Sequence, residues 1–218
     1  MIISTPSIVL HQFRYGDSSL IVHLYTEKLG RQSIFVRGAA GKKSQMRAAL
    51  FQPLYLIETE IHHRLNRNMQ RISNARLMQP FHDILLHPVK NAIALFIAEI
   101  LTKTLREEEA NRELFDFLSK SIHAFNLMDK GTANFHLVFL VHLTRYLGFY
   151  PNLKEISENA PVALQLSHLS FEQLEILKIN HLQRNYLTEY LLSYYAMHVE
   201  SFGKIKSFPV LQHVFSQE

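Results

Sequence analysis

The chain has 218 residues, room for one large domain or two small ones at ~100 to 200 residues each, and its 47% hydrophobic and 11% aromatic content builds a packed core and excludes extensive disorder. Lys and Arg number 23 against 19 Asp and Glu, a formal +4, but residues 1–80 carry 11 basic and 4 acidic side chains (+7), which leaves 12 and 15 (−3) for residues 81–218. The absence of cysteine excludes disulfides, thiolate metal sites and cysteine nucleophiles and fits a reducing cytoplasm. With no basic stretch leading an apolar one at the start, and apolar runs far below ~18 residues, the chain reads as neither secreted nor membrane-spanning.

From residue 7 to about 79 the chain is made of short β-branched and aromatic runs broken by glycine, proline and polar turns, the pattern of a small antiparallel sheet or barrel. Five strands are expected, over 7–14, 19–26, 31–37, 54–61 and 68–77. The second alternates Leu20, Val22 and Leu24 with Ile21, His23 and Tyr25, and Tyr15-Gly16-Asp17-Ser18 ahead of it has turn chemistry. In the third, Ile34 and Val36 face a core while Arg31, Ser33, Phe35 and Arg37 share the other face.

Beyond Pro80 the period becomes helical, with a stripe through Ile93, Phe96, Ile97, Ile100, Leu101 and Leu105 and a second through Leu114, Phe117, Leu118 and Ile122. A third helix is expected over 132–147, stopping at Gly148 with Pro151 beyond, and a last one over 183–202, stopping at Gly203. Between them, 152–168 reads as a polar loop and 171–178 as a short helix. The change of composition and period across 80–88 predicts two domains, 1–80 and 81–218, in an α+β chain whose barrel precedes an all-α region.

Motifs for covalent chemistry fail on inspection. In Gly38-Ala39-Ala40-Gly41-Lys42-Lys43-Ser44 the first glycine of a phosphate loop falls at Val36, and Lys43 stands where Ser or Thr should hold magnesium. Gly16-Asp17-Ser18-Ser19-Leu20 lacks the second glycine of a nucleophile elbow. The 13 histidines show no His-Glu-x-x-His spacing, and no carboxylate pair sits in an apolar pattern suited to general acid/base work. No catalytic residue, metal or cofactor is expected, and the chain reads as a binding protein.

The cations are better organised. Between Lys28 and Leu56 lie Lys28, Arg31, Arg37, Lys42, Lys43 and Arg47 with no carboxylate, and between Ile61 and Gln79 lie Arg64, Arg67, Arg71 and Arg76, again without one. Unpaired cations keep their field, and a polyanion laid along them releases counterions and gains affinity. Phe13, Tyr15, Tyr25 and Phe35 are interleaved, so a groove of cations and stacking rings is readable here, against the alternative that a small barrel needs most of its rings as core. The candidate nucleic-acid contacts are Arg14, Arg31, Phe35, Arg37, Lys42, Lys43, Arg47, Arg64, Arg67 and Arg71.

The residues also carry a resemblance. Ile8-Val9-Leu10, Tyr15-Gly16-Asp17-Ser18-Ser19, Tyr25-Thr26-Glu27-Lys28-Leu29-Gly30, Val36-Arg37-Gly38-Ala39 and Lys43-Ser44, followed by Leu50-Phe51-Gln52-Pro53-Leu54 and Leu147-Gly148-Phe149-Tyr150-Pro151, resemble in order the RecO family of bacterial recombination mediators. The resemblance implies an N-terminal OB-fold barrel and a helical domain. It also implies binding of single- and double-stranded DNA, annealing of strands coated with single-stranded DNA-binding protein and, with RecR, help in loading RecA. Many members carry a four-cysteine zinc module after the Gly-x-x-Pro element; here Pro151 leads into Asn152-Leu153-Lys154-Glu155-Ile156, and the chain resembles a zinc-free branch. With the resemblance, the aromatic stretch 135–150 suggests a partner pocket in which Arg145 meets a carboxylate while Phe139 or Leu143 lines the groove. The sequence-level reading is a DNA-repair mediator without enzymatic activity, acting in the cytoplasm; the alternatives are an RNA-binding OB module and, from another class, an unrecognised hydrolase or transferase.

Overall fold

The computed structural model describes residues 1–37, 48–152 and 160–217. Its packing falls into two units, Met1–Phe81 with Ile97–Ser119, and His82–Phe96 with Lys120–Glu218. In the first unit β1 (Ile2–Tyr15), β2 (Ser19–Thr26), β3 (Gly30–Val36), β4 (Leu56–His62) and β5 (Gln70–Leu77) close a barrel in the order β1-β2-β3-β5-β4. All neighbours are antiparallel except β3 and β5, and this five-stranded closure is the expected OB-fold.

β1 begins at Ile2 rather than at residue 7 because it serves two neighbours. Ile2 to Ile8 pair with β4, and Ser7 to Tyr15 pair with β2. A strand shared in this way must bend, and a register shift between Val9 and His11 supplies the bend. The bulge also changes which parity faces inward. Ahead of it Thr5 and Ser7 are fully buried, whereas beyond it His11, Phe13 and Tyr15 are exposed. Val22, Leu24, Ile34, Ile57 and Ile61 fill the interior beside two buried hydroxyls that bond each other: Ser7 Oγ lies 2.8 Å from Thr59 Oγ1, which donates to the Thr5 carbonyl at 3.0 Å.

The first unit is completed by residues far along the chain. α2 (Pro88–Thr104) contributes its residues from Ile97 onward, and α3 (Arg112–Leu127) its first half. The Phe115 ring stacks on Tyr25 at 6.4 Å, burying the tyrosine to 3% exposure and pushing its phenol up to about 12 by desolvation. Gly30 has φ +60°, and a Cβ there would collide with the carbonyls of Glu107 and Glu109, so the approach of this segment to β3 requires glycine.

In the second unit α4 (Phe135–Tyr146) is central, with nine buried residues including Phe135, Leu137 and Phe139 to Val141. Burial of all seven residues from Phe135 to Val141 takes in every face of its first two turns, and Arg145 and Tyr146 reach solvent at its C-terminal end. Around the same core run α1 (His82–Leu86), α5 (Ala160–His168), α6 (His181–His198) and α7 (Phe208–Phe215). Asn180 and Gln183 form a capping box at the start of α6, and Tyr195 donates its hydroxyl to the Leu140 carbonyl at 2.8 Å.

Three features depart from the sequence reading. The expected loop over 152–168 contains helix α5, whose Ala163 and Leu166, one turn apart, are buried; nine residues give too short a pattern to stand out. The short helix expected over 171–178 is a 3₁₀ helix, Phe171–Ile176. α7 was not expected, although Pro209 in its first turn and the buried pair Leu211 and Phe215 are start and stripe signals. No helix among the described residues is long and apolar enough to cross a membrane.

Candidate nucleic-acid interface

The outward face of β1, β2 and β3 is covered at one end and open at the other. The covered end holds Tyr25 and Arg31, which are paired in register. The Arg31 guanidinium donates to the Thr102 carbonyl at 2.7 Å and the Leu105 carbonyl at 2.8 Å, and its backbone N–H to Glu107 at 2.9 Å. The Thr102 and Leu105 carbonyls lie in the last turn of α2 and just beyond it, where carbonyls lack a helical donor, so a cation is the natural cap. Arg31, expected among the nucleic-acid contacts, is half-buried and committed to this structural role, as is Tyr25 to its stack on Phe115.

The open end carries rings. Cross-strand pairing sets Phe13 beside Ile21 and Ile21 beside Phe35 in one row, and His11 beside His23 and His23 beside Ser33 in the next. Ring centroids lie 6.0 Å apart for His11 and Phe13, 5.8 Å for Phe13 and His23, and 5.9 Å for the edge-on pair Tyr15 and Phe35. Phe13 is 41% and Tyr15 58% exposed. Large rings left in water on a barrel with a filled interior present stacking surface. His23, bonded through Nδ1 to the Ser33 hydroxyl at 3.0 Å, has its pKa lowered by burial first and by the charges of Arg31 and His11 after it, so the ring is neutral at pH 7 and belongs with the stacking surface. His11 and His23 join this face only through the folded arrangement, although the odd-numbered alternation of β1 beyond the bulge and of β2 carries both.

Cations frame this surface. The Arg37 guanidinium lies 6.0 Å from the Phe35 ring centre, and Arg71 on β5 is the register partner of Phe35. Arg64 and Arg67 sit on the β4–β5 turn, which the buried Gln70 side chain organises by donating to the carbonyls of both arginines. Arg14 is exposed at the far end of β1. None of these five guanidinium groups is ion-paired to a carboxylate among the described residues. Lys42, Lys43 and Arg47 lie outside the described residues. The structure thus brings Phe35, Arg37 and Arg71 together, sets Arg64 and Arg67 on the adjoining turn, and removes Arg31.

The partner residues expected on α4 separate. Phe139 and Leu143 have no exposed surface and belong to the core, so neither lines a surface groove. Arg145 is exposed, lies 4.7 Å over the Tyr150 ring and donates to the Ser167 carbonyl at 2.9 Å.

Comparison with known proteins agrees with the architecture. The family model for the recombination protein O N-terminal domain matches residues 1–81, and that for its C-terminal domain matches residues 86–159. The chain is 37% identical to the DNA repair protein RecO of Bacteroides fragilis, 34% to that of Phocaeicola vulgatus and 34% to that of Flavobacterium psychrophilum, in each case over 99% of this chain and 100% of the relative. With the two family models matched in order, the first over the barrel and the second over the first part of the helical region, and with relatives 34–37% identical over the whole chain, the chain belongs to the RecO family of DNA repair proteins.

Proposed function

We propose that the chain is a recombination mediator that binds single- and double-stranded DNA without base-sequence preference, anneals complementary strands coated with single-stranded DNA-binding protein and, with RecR, assists RecA loading in the cytoplasm, without covalent chemistry. The observation that carries this reading is the open end of the barrel face, where exposed Phe13 and Tyr15 and half-buried Phe35 lie beside arginines that have no carboxylate partner among the described residues. Rings stack on any base and guanidinium groups hold any phosphate, so such a face captures a strand regardless of sequence. Residues 1–80 would act as the DNA-binding domain and residues 81–218 as the source of protein contacts, with Arg145 the exposed cation for an acidic partner segment.

The test is annealing of complementary strands precoated with single-stranded DNA-binding protein, together with salt titrations of binding to DNA and RNA strands of equal length. Accelerated annealing, and an affinity for DNA that falls linearly on a log–log plot against salt, are expected. A strong preference for RNA would mean that a 2′-hydroxyl is being read, and would overturn the proposal.

A further inference from the structure

β3 and β5 meet at two register pairs among the described residues, Ile34 with Gln70 and Phe35 with Arg71, after which β5 runs on to Leu77 paired with β4. Where the two strands part, a slot of about 170 Å³ opens in the barrel wall. Its floor is Val36, Phe51 and Ile72, and its rim is Arg37, Ser73 and Asn74. Val36 and Phe51 are buried while Ile72 is only half-covered, which is unusual for a residue whose register partner, Ile61, is wholly inside. The register shift at Glu60 and Ile61 adds Ser73 as an extra residue and turns this part of β5 toward the opening.

We infer that this slot receives one unstacked pyrimidine base from a single strand held on the aromatic face, an inference that rests on the nucleic-acid reading above. Size comes first: an apolar cavity of roughly 150 Å³ admits a single benzene ring, so this one accommodates a six-membered base and is short for the fused rings of a purine. Chemistry comes second. The apolar side chains of Val36, Phe51 and Ile72 beside the polar groups of Arg37, Ser73 and Asn74, which make up most of the accessible lining, offer a flat heterocycle a contact for its face and hydrogen-bonding partners for its edge. Among the described residues, β5 has no ladder partner on β3 beyond Arg71. Position comes third. The slot opens beside Arg37, whose guanidinium also leans on Phe35, with Arg71 as that ring's neighbour across the β3–β5 pairing. Phosphates on these two arginines bring the intervening base to the mouth, and a base stacked within a duplex has no access to it.

Anisotropy titrations of the full chain with labelled oligodeoxythymidylate and oligodeoxyadenylate test this. The native protein should favour the thymidylate strand by about fivefold or more, the lower end of the stacking contribution of one base. Ala75→Leu, which fills the slot from its lining, should bring the two affinities together and leave the salt slope of the adenylate strand unchanged. A second measurement needs no substitution: a strand carrying 4-thiothymidine, irradiated on the native chain, should crosslink to residues 50–51 or 72–75. A variant that folds and keeps the native preference, or crosslinks confined to β1 and β2, would remove the slot as a base site while the strand-binding reading stands. Failure of the native chain to bind either strand at low salt would overturn that reading and the slot with it.

Discussion

His136 makes the second unit sensitive to acid. Its ring is wholly buried on α4, edge-on to Phe96 at 5.7 Å and tilted against Phe215 at 5.4 Å, with Nε2 at 2.9 Å from the Thr188 hydroxyl. That hydroxyl already donates to the Arg184 carbonyl, so it accepts from Nε2–H, and a second proton has to enter at Nδ1. Burial, and behind it the charge of Arg184, pushes the imidazole down to about 3, with a backbone interaction at Ala133 opposing. The folded ring therefore stays neutral over a range in which the unfolded ring, at an ordinary pKa of ~6.5, takes a proton. The unfolded state binds the extra proton, so stability is whole above pH 6.5 and is lost as pH falls through that value toward 3, at about 1.4 kcal/mol per unit. From pH 7 to pH 5 the loss is about 2 kcal/mol. Urea denaturation of the native chain and of His136→Asn at both pH values isolates this residue from the other histidines. The variant should start less stable but lose about 2 kcal/mol less on acidification; parallel stability–pH curves would refute the reasoning.

Three further outcomes are expected. Arg31→Ala uncaps the end of α2 and should cost the first unit about 1–3 kcal/mol by denaturant titration, while leaving the salt dependence of DNA binding unchanged because the guanidinium is committed to Thr102 and Leu105. Phe35→Ala should weaken single-stranded DNA binding by about 1–3 kcal/mol in an anisotropy titration with the salt slope preserved; an unaltered affinity would place the stacking surface elsewhere. Lys42→Glu with Lys43→Glu should lower the magnitude of the log-affinity against log-salt slope by more than one, at ~0.7 per lost phosphate contact, and slow annealing.

Two periodicities were written plainly into the chain. Alternation of period two through Leu20, Val22 and Leu24 announced a barrel wall, and Ile34 and Val36 named the inward face of β3, because each strand buries one side only. Arg31 shows where this ended. Its parity matches Phe35 and Arg37, but what covers it is a carbonyl cluster more than seventy residues later, and a two-residue period carries no information about that distance. Phe139 and Leu143 failed for a related reason: the apolar run Leu137 to Val141 covers every side of α4, so the sequence marks no polar face against which to recognise a groove, and burial is the ordinary fate of such residues. His11 and Phe13 turned outward through a bulge that no residue type marks.

The closure of the barrel face by residues 97–119 sets an order of events during synthesis. When residue 81 has been made, all five strands exist, yet Arg31 has no carbonyls to cap, Tyr25 has no Phe115 above it and Gly30 faces no incoming segment. The missing 38 residues, counted from Phe81 to Ser119, take about 2–8 s at a ribosomal rate of ~5–20 residues per second. Through that interval the nascent barrel exposes apolar surface that the finished protein hides, and its dwell on a chaperone should end as residue 119 emerges rather than when the last strand does.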